Sequence, residues 1–195
     1  MSRLATSFVL GYHGCDKETA EQVITGKTFL VPSDKPYDWL GPGIYFWESD
    51  PHRALEWARE RCAERGGEPA VIGAAIDLGY CLDLMSRTGQ TLVRDAYATL
   101  RDLYEKAERP LPENENSRRG GDFDRRLRKL DCAVIQQLHD EAADAPFDTV
   151  RGMFTEGEPI YPGAGYYSSS HVQIAVRNRS CIKGLFLAPD DLDID

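Results

Sequence analysis

The apolar positions of this chain change period several times, and each change marks an element. Residues 7–12 (SFVLGY) form a short, nearly continuous apolar run, which predicts a buried strand. Asp16 follows and can cap a helix with Ala20, Val23 and Ile24 on one face and Gly26 at its end. Residues 32–43 hold Pro32, Pro36 and Pro42, Gly41 and Gly43, and a Tyr-Asp-Trp cluster, which together require a loop. Residues 44–47 then read as a short aromatic strand. Asp50 and Pro51 open a second helix as cap and first-turn residue; Ala54, Trp57, Ala58 and Cys62 form its apolar stripe, and Gly66-Gly67 stops it. Residues 70–78 (AVIGAAIDL) predict a central strand.

The second half repeats the alternation with longer helices. Leu92, Ala96, Leu100, Leu103 and Ala107 fall on one side of a helix over 91–107. A polar Pro/Gly-rich loop covers 109–121. Phe123, Leu127, Leu130, Val134 and Leu138 are in phase for a helix over 123–138. Strands follow at 149–154, 173–176 and 182–187, the first two separated by a loop rich in Gly, Pro, Tyr and Ser. Early alternation and late clustering of strands predict an α+β class. The helical segment at about 82–145 reads as an insertion into the strand series. No linker divides the chain, so residues 1–195 are expected to form a single domain.

Composition narrows the function classes. At 195 residues the chain is long enough for its own core, and 42% hydrophobic with 28% charged residues excludes global disorder. No apolar run approaches the ~20 residues that span a bilayer, and the N-terminal apolar stretch is too short for a signal peptide. A cytoplasmic location without membrane association is expected. The five cysteines are widely spaced with no CxxC pair, so free thiols are expected rather than disulfides or a metal site. A net charge of −9 disfavours non-specific binding to nucleic acid. Arg118, Arg119, Arg125, Arg126, Arg128 and Lys129 nonetheless form a basic cluster. It can meet the phosphates of a nucleic-acid acceptor or an acidic protein, but a solvated helix face is the commoner reading.

Two short blocks carry chemistry. In GYHG, an imidazole at a strand end can hydrogen-bond a hydroxyl, and the glycine lets the main chain approach a ligand ring. Alone, His13-Gly14 would read as a core histidine beside a turn glycine. In GPGIYF, glycines turn the chain tightly into a strand that presents the face of Tyr45. These blocks and the helix after them resemble the ADP-ribosyltransferase superfamily, in the His-Tyr-Glu lineage of poly(ADP-ribose) polymerases and diphtheria-like toxins.

The resemblance implies a split antiparallel β-sheet core with flanking helices, and NAD as substrate with no metal. It implies that His13 binds the adenosine-side ribose, that Gly14 holds the nicotinamide carboxamide through its main chain, and that Tyr45 and Trp57 stack on the nicotinamide. Arg53 or Ala54 falls where polymerases carry a hydroxyl residue. The third lineage residue, a Glu at the start of a late strand, is matched here by Gln173, giving a His13-Tyr45-Gln173 set. Gln can hydrogen-bond a hydroxyl but can neither carry charge nor act as a base. Polymer synthesis is therefore not expected. The implied activity is mono-ADP-ribosyl transfer to a protein or nucleic-acid acceptor, as in bacterial toxins and defence effectors, for which an inhibitory partner protein is a further expectation. The alternatives are an NAD glycohydrolase and a non-catalytic NAD or ADP-ribose binding module. Glu156 and Glu158 can reach in as substitutes, although turn carboxylates read as surface residues. His171 lies two residues from Gln173 and can line the same site. His52, His139 and His171 lack metal-ligand spacing.

Overall fold

The computed structural model describes residues 8–116 and 127–188. Its strands are β1 (Phe8–Asp16), β2 (Ile44–Glu48), β3 (Pro69–Asp77), β4 (Cys81–Asp83), β5 (Asn114–Glu115), β6 (Leu127–Arg128), β7 (Thr149–Phe154), β8 (His171–Val176) and β9 (Ile182–Leu187). Its helices are α1 (Lys17–Ile24), α2 (Pro51–Arg65), α3 (Arg87–Lys106) and α4 (Lys129–Glu141). Seven strands form one sheet in the order β4-β7-β8-β2-β1-β3-β9, antiparallel at every junction except β4 with β7. The class is α+β, with a large, mostly antiparallel sheet. No helix among the described residues is long and apolar enough to cross a membrane.

Strand alternation sorts the core onto two faces. Phe46, Ile72, Ile76 and Ile174 point to one face and pack with Ala20 and Val23 of α1. Each large side chain fully buried there stabilises the fold by about 1.5–3 kcal/mol. On the other face, α3 and α4 bring Leu100, Ile135 and Leu138 onto Leu82, Val150 and Ala175. The segment expected as a helical insertion thus supplies about half of the second core cluster: Leu82, Ala96, Leu100, Val134, Ile135 and Leu138. Beside it, α2 lays Ala54 against Val71 and Trp47.

Local chemistry explains the helix starts. Asp16 accepts from the Thr19 N–H at 2.8 Å and Asp50 from the Arg53 N–H at 3.0 Å, as capping residues do. The structure corrects two expected starts. α3 begins at Arg87 rather than 91, because Ser86 caps it by accepting from Gly89 N–H at 3.0 Å. Gly89 is required there, since a β-carbon would lie 2.1 Å from the Asp83 carbonyl oxygen. α4 begins at Lys129, because Leu127 and Arg128 pair with Asn114 and Glu115 as strands; Phe123, the expected start, lies outside the described residues. β8 begins at His171 rather than 173, and β4 is too short to show a period.

One junction in the sheet is incomplete. β1 pairs with β3 along nine residues, from Phe8 with Asp77 to Asp16 with Pro69. It pairs with β2 only through Gly11 with Glu48 and Tyr12 with Trp47. Beyond Tyr12, β1 follows β3 and leaves β2, and the sheet opens.

Candidate functional site

The opening is filled at its apex by His13. Its Nδ1 lies 2.7 Å from the Tyr45 main-chain oxygen. A carbonyl oxygen only accepts, so Nδ1 carries the proton and Nε2 keeps a lone pair. Burial lowers the imidazole pKa, opposed by this hydrogen bond and reinforced by the charge of Arg61, so the ring is neutral near pH 7. His13 thereby bridges two strands that no longer pair, and it lines a cleft of about 540 Å³, within the range of small-ligand sites.

The opposite wall is β2 and the loop before it. Tyr45 lines the cleft. Its hydroxyl donates to the Gly41 carbonyl at 2.7 Å and accepts from the Leu40 N–H at 2.8 Å. Burial raises its pKa well above the ordinary phenol value, so it stays a neutral donor. With the hydroxyl engaged in the chain, only the ring face is left for a ligand. Phe46, the next residue, is fully buried on the other face.

From the third side, α2 contributes Trp57, whose ring lies 6.5 Å from His13 and 5.8 Å from Trp47. Arg61, one turn on, sits 4.7 Å over the Trp57 ring and also lines the cleft. Burial lowers its pKa, but an arginine keeps its charge, so the cleft has a cation at the His13 end. α2 comes this close because Gly14 has no side chain: a β-carbon there would meet the Ala54 carbonyl oxygen at 2.1 Å. Gly14 is buried behind the cleft rather than among the side chains that line it.

Gln173 comes from β8, paired with Trp47 on β2 and Gly152 on β7, and lines the same cleft. The fold therefore brings His13, Tyr45, Trp57 and Gln173 together from four elements. Ala54 is fully buried against β1 and β3, and Arg53 faces the cleft. His52 is exposed on α2, and His139 is buried in the second core beside Arg177.

The structure corrects the expectation for Glu156. Glu158 is exposed as expected, but Glu156 is only 4% exposed and lines the cleft. Its Oε2 lies 3.3 Å from Arg53 Nη2 and 3.5 Å from His171 Nδ1. His171 is itself buried, with Nδ1 donating to the Ser169 carbonyl at 2.8 Å, and burial lowers its pKa. His171 does not line the cleft directly; it stacks behind Trp39 at 6.0 Å. Trp47 Nε1, Arg53 Nε and His171 Nε2 are buried with no hydrogen-bond partner among the described residues. Of these three residues, Trp47 and Arg53 line the cleft. Of the basic cluster, Arg128 lies 4.2 Å over the Trp39 ring and Lys129 pairs with Glu115 at 2.8 Å; Arg118, Arg119, Arg125 and Arg126 lie outside the described residues. Among the described residues no group of three or more His, Cys, Asp or Glu side chains could hold a metal ion.

No family model matches the chain. A stretch of 46 residues, 24% of this chain, is 46% identical to part of an uncharacterised protein of Methanocaldococcus jannaschii. The match covers 21% of that protein, about a fifth of its length.

Proposed function

We propose that the cleft binds NAD and that the protein transfers single ADP-ribose units from it to a macromolecular acceptor. The observation that carries this reading is the convergence of His13, Tyr45, Trp57 and Gln173 on one cleft at an opened seam of the sheet. A neutral imidazole with a free lone pair on Nε2 suits a ribose hydroxyl. The Tyr45 and Trp57 rings suit a nicotinamide that carries positive charge before its bond to ribose breaks. Arg61 at the His13 end is a natural counter-charge for the pyrophosphate.

The chemistry then asks little of the protein in acid catalysis. Nicotinamide leaves with the bonding electron pair as a neutral ring, and the ribose passes through an oxocarbenium-like state. Holding the dinucleotide still and stabilising that charge are the main tasks. Gln173 can accept a hydrogen bond from a ribose hydroxyl but brings no charge, which suits one transfer rather than chain elongation.

The test is labelled NAD incubated with the protein and cell lysate, followed by nicotinamide release and label on protein, RNA or DNA. Label on one of these classes supports transfer. Release without macromolecular label would make the protein a glycohydrolase, and binding without release would make it a binding module. Tyr45→Ala should weaken NAD binding by roughly 1 kcal/mol, about fivefold, through the lost stacking face. Unchanged affinity by calorimetry would remove Tyr45 from the site.

A further inference from the structure

Glu156 is placed by a hairpin that leaves β7 and returns to β8. Ser169 N–H donates to the Glu156 carbonyl at 3.1 Å, Ser168 N–H to the Glu158 carbonyl at 2.9 Å, and Ile160 N–H to the Tyr166 carbonyl at 3.1 Å. The tip carries exposed Ile160, Tyr161 and Tyr166, whereas the base turns Glu156 inward. Gly157 makes the turn with φ +80. Burying a carboxylate costs several kcal/mol unless charge and hydrogen bonds offset it. Here Arg53, reaching from α2, supplies the opposite charge. Two walls of the cleft are thus spent on holding one carboxylate where the sequence pattern predicts a surface residue.

Its place within the cleft is specific. Glu156 Oε2 touches the ring of His171, and His171 and Gln173 are alternate residues on one face of β8. The carboxylate and Gln173, which brings no charge, therefore line the same cleft, with His171 in contact with the one and two residues from the other. Two other carboxylates line the cleft, and both are less suited. Asp38 is tied into its loop by accepting from Lys35 N–H at 2.8 Å, and Glu60 is exposed next to Arg61.

We propose that Glu156 is the general base of the cleft, taking the proton from the incoming protic nucleophile. The proposal rests on reading the cleft as an NAD site. In the step, the nucleophile oxygen or nitrogen bonds to C1′ of the nicotinamide ribose as the C1′–N bond breaks. The electron pair of that bond goes to the pyridinium nitrogen, releasing neutral nicotinamide. The nucleophile's proton passes to the Glu156 carboxylate, which returns it to solvent. Arg53 and His171 position the carboxylate.

The experiment compares wild type with Glu156→Gln, nearly identical in shape, using nicotinamide release with water as nucleophile and again with added azide. Azide attacks as an anion and has no proton to lose. Glu156→Gln should bind NAD with wild-type affinity by calorimetry, release nicotinamide at least about 100-fold more slowly in water, and recover most of the rate with azide. Equal rates in water for both proteins would overturn the base role and leave the cleft reading intact. A loss that azide does not restore would also overturn it, making Glu156 a structural residue. A wild type that binds NAD without releasing nicotinamide removes the base role but keeps the binding site; one that binds no NAD removes both. Should Glu156→Gln not fold, Glu156→Asp carries the same comparison, with a smaller, azide-reversible loss expected.

Discussion

Tyr45 divides two tasks between different atoms. Its hydroxyl ties Leu40 and Gly41 to β2, and its ring face borders the cleft. Tyr45→Phe should therefore cost about 1–2 kcal/mol of stability, because the Leu40 N–H and Gly41 carbonyl lose their partner. NAD affinity should stay near wild type because the ring remains. Urea unfolding and calorimetry on the same variant check both halves, and an affinity loss matching that of Tyr45→Ala would show that the face is not what binds. At this scale the sequence was informative where chemistry is local. GYHG and GPGIYF name residues that do converge on one cleft. Glu156 was legible only as a substitute that can reach in, with the surface reading preferred: its neighbours Thr155 and Gly157 signal a turn, and the residue that draws it inward is Arg53, 103 positions away. Gly14 was legible as a close-approach glycine, but what approaches it is the backbone of α2.

Elements were read well where their own residues begin them, and poorly where a distant residue does. α4 is the clearest case. Its N-cap position, Arg128, makes no side-chain cap. Instead Asn114, on β5, accepts from the N–H groups of Leu130 at 3.0 Å and Asp131 at 3.2 Å, and donates to the Asp131 carboxylate at 2.8 Å. A cap borrowed across the chain leaves no motif in front of the helix. That explains why periodicity alone carried the predicted start back to Phe123. Asn114→Ala should cost about 1 kcal/mol, the usual value of an N-cap, and lower the thermal midpoint. A midpoint within error of wild type would show that the first turn of α4 is held by packing. α3 differs from this case: its cap, Ser86, is local, and the helix starts four residues before the expected 91 with Gly89 needed where it passes the Asp83 carbonyl.

For the whole molecule, strand order was beyond reach of the pattern, since alternation tells which face a residue takes and not which strand lies beside it. The buried histidines give the folded chain a shared response to acid. His139 accepts from Arg177 Nη1 at 3.0 Å and is packed by Phe147. Burial, with the Arg177 charge, lowers its pKa to about 4. Above pH 6.5 it is neutral whether folded or unfolded, so it does not change stability there. As pH falls from 6.5 toward 4, the unfolded chain binds a proton that the native chain refuses, and stability declines. The full loss from this group is roughly 3 kcal/mol. His13 and His171, also lowered, act in the same direction. Denaturant unfolding between pH 7 and 4 should show this slope, and His139→Gln should flatten it. An unchanged slope in that variant would assign the acid response to other groups.

The strand order also sets a clock. β2 ends at Glu48, yet its second neighbour is β8, which closes at Val176. The sides of the cleft made by His13, Tyr45 and Trp57 come early in the sequence, and the side made by Glu156 and Gln173 comes late. During synthesis at about 5–20 residues per second, His13, Tyr45 and Trp57 wait many seconds for Glu156 and Gln173 to emerge. Until β8 has been made the cleft lacks Gln173, so residues from the early and the late parts of the sequence must both be present before the lining is complete.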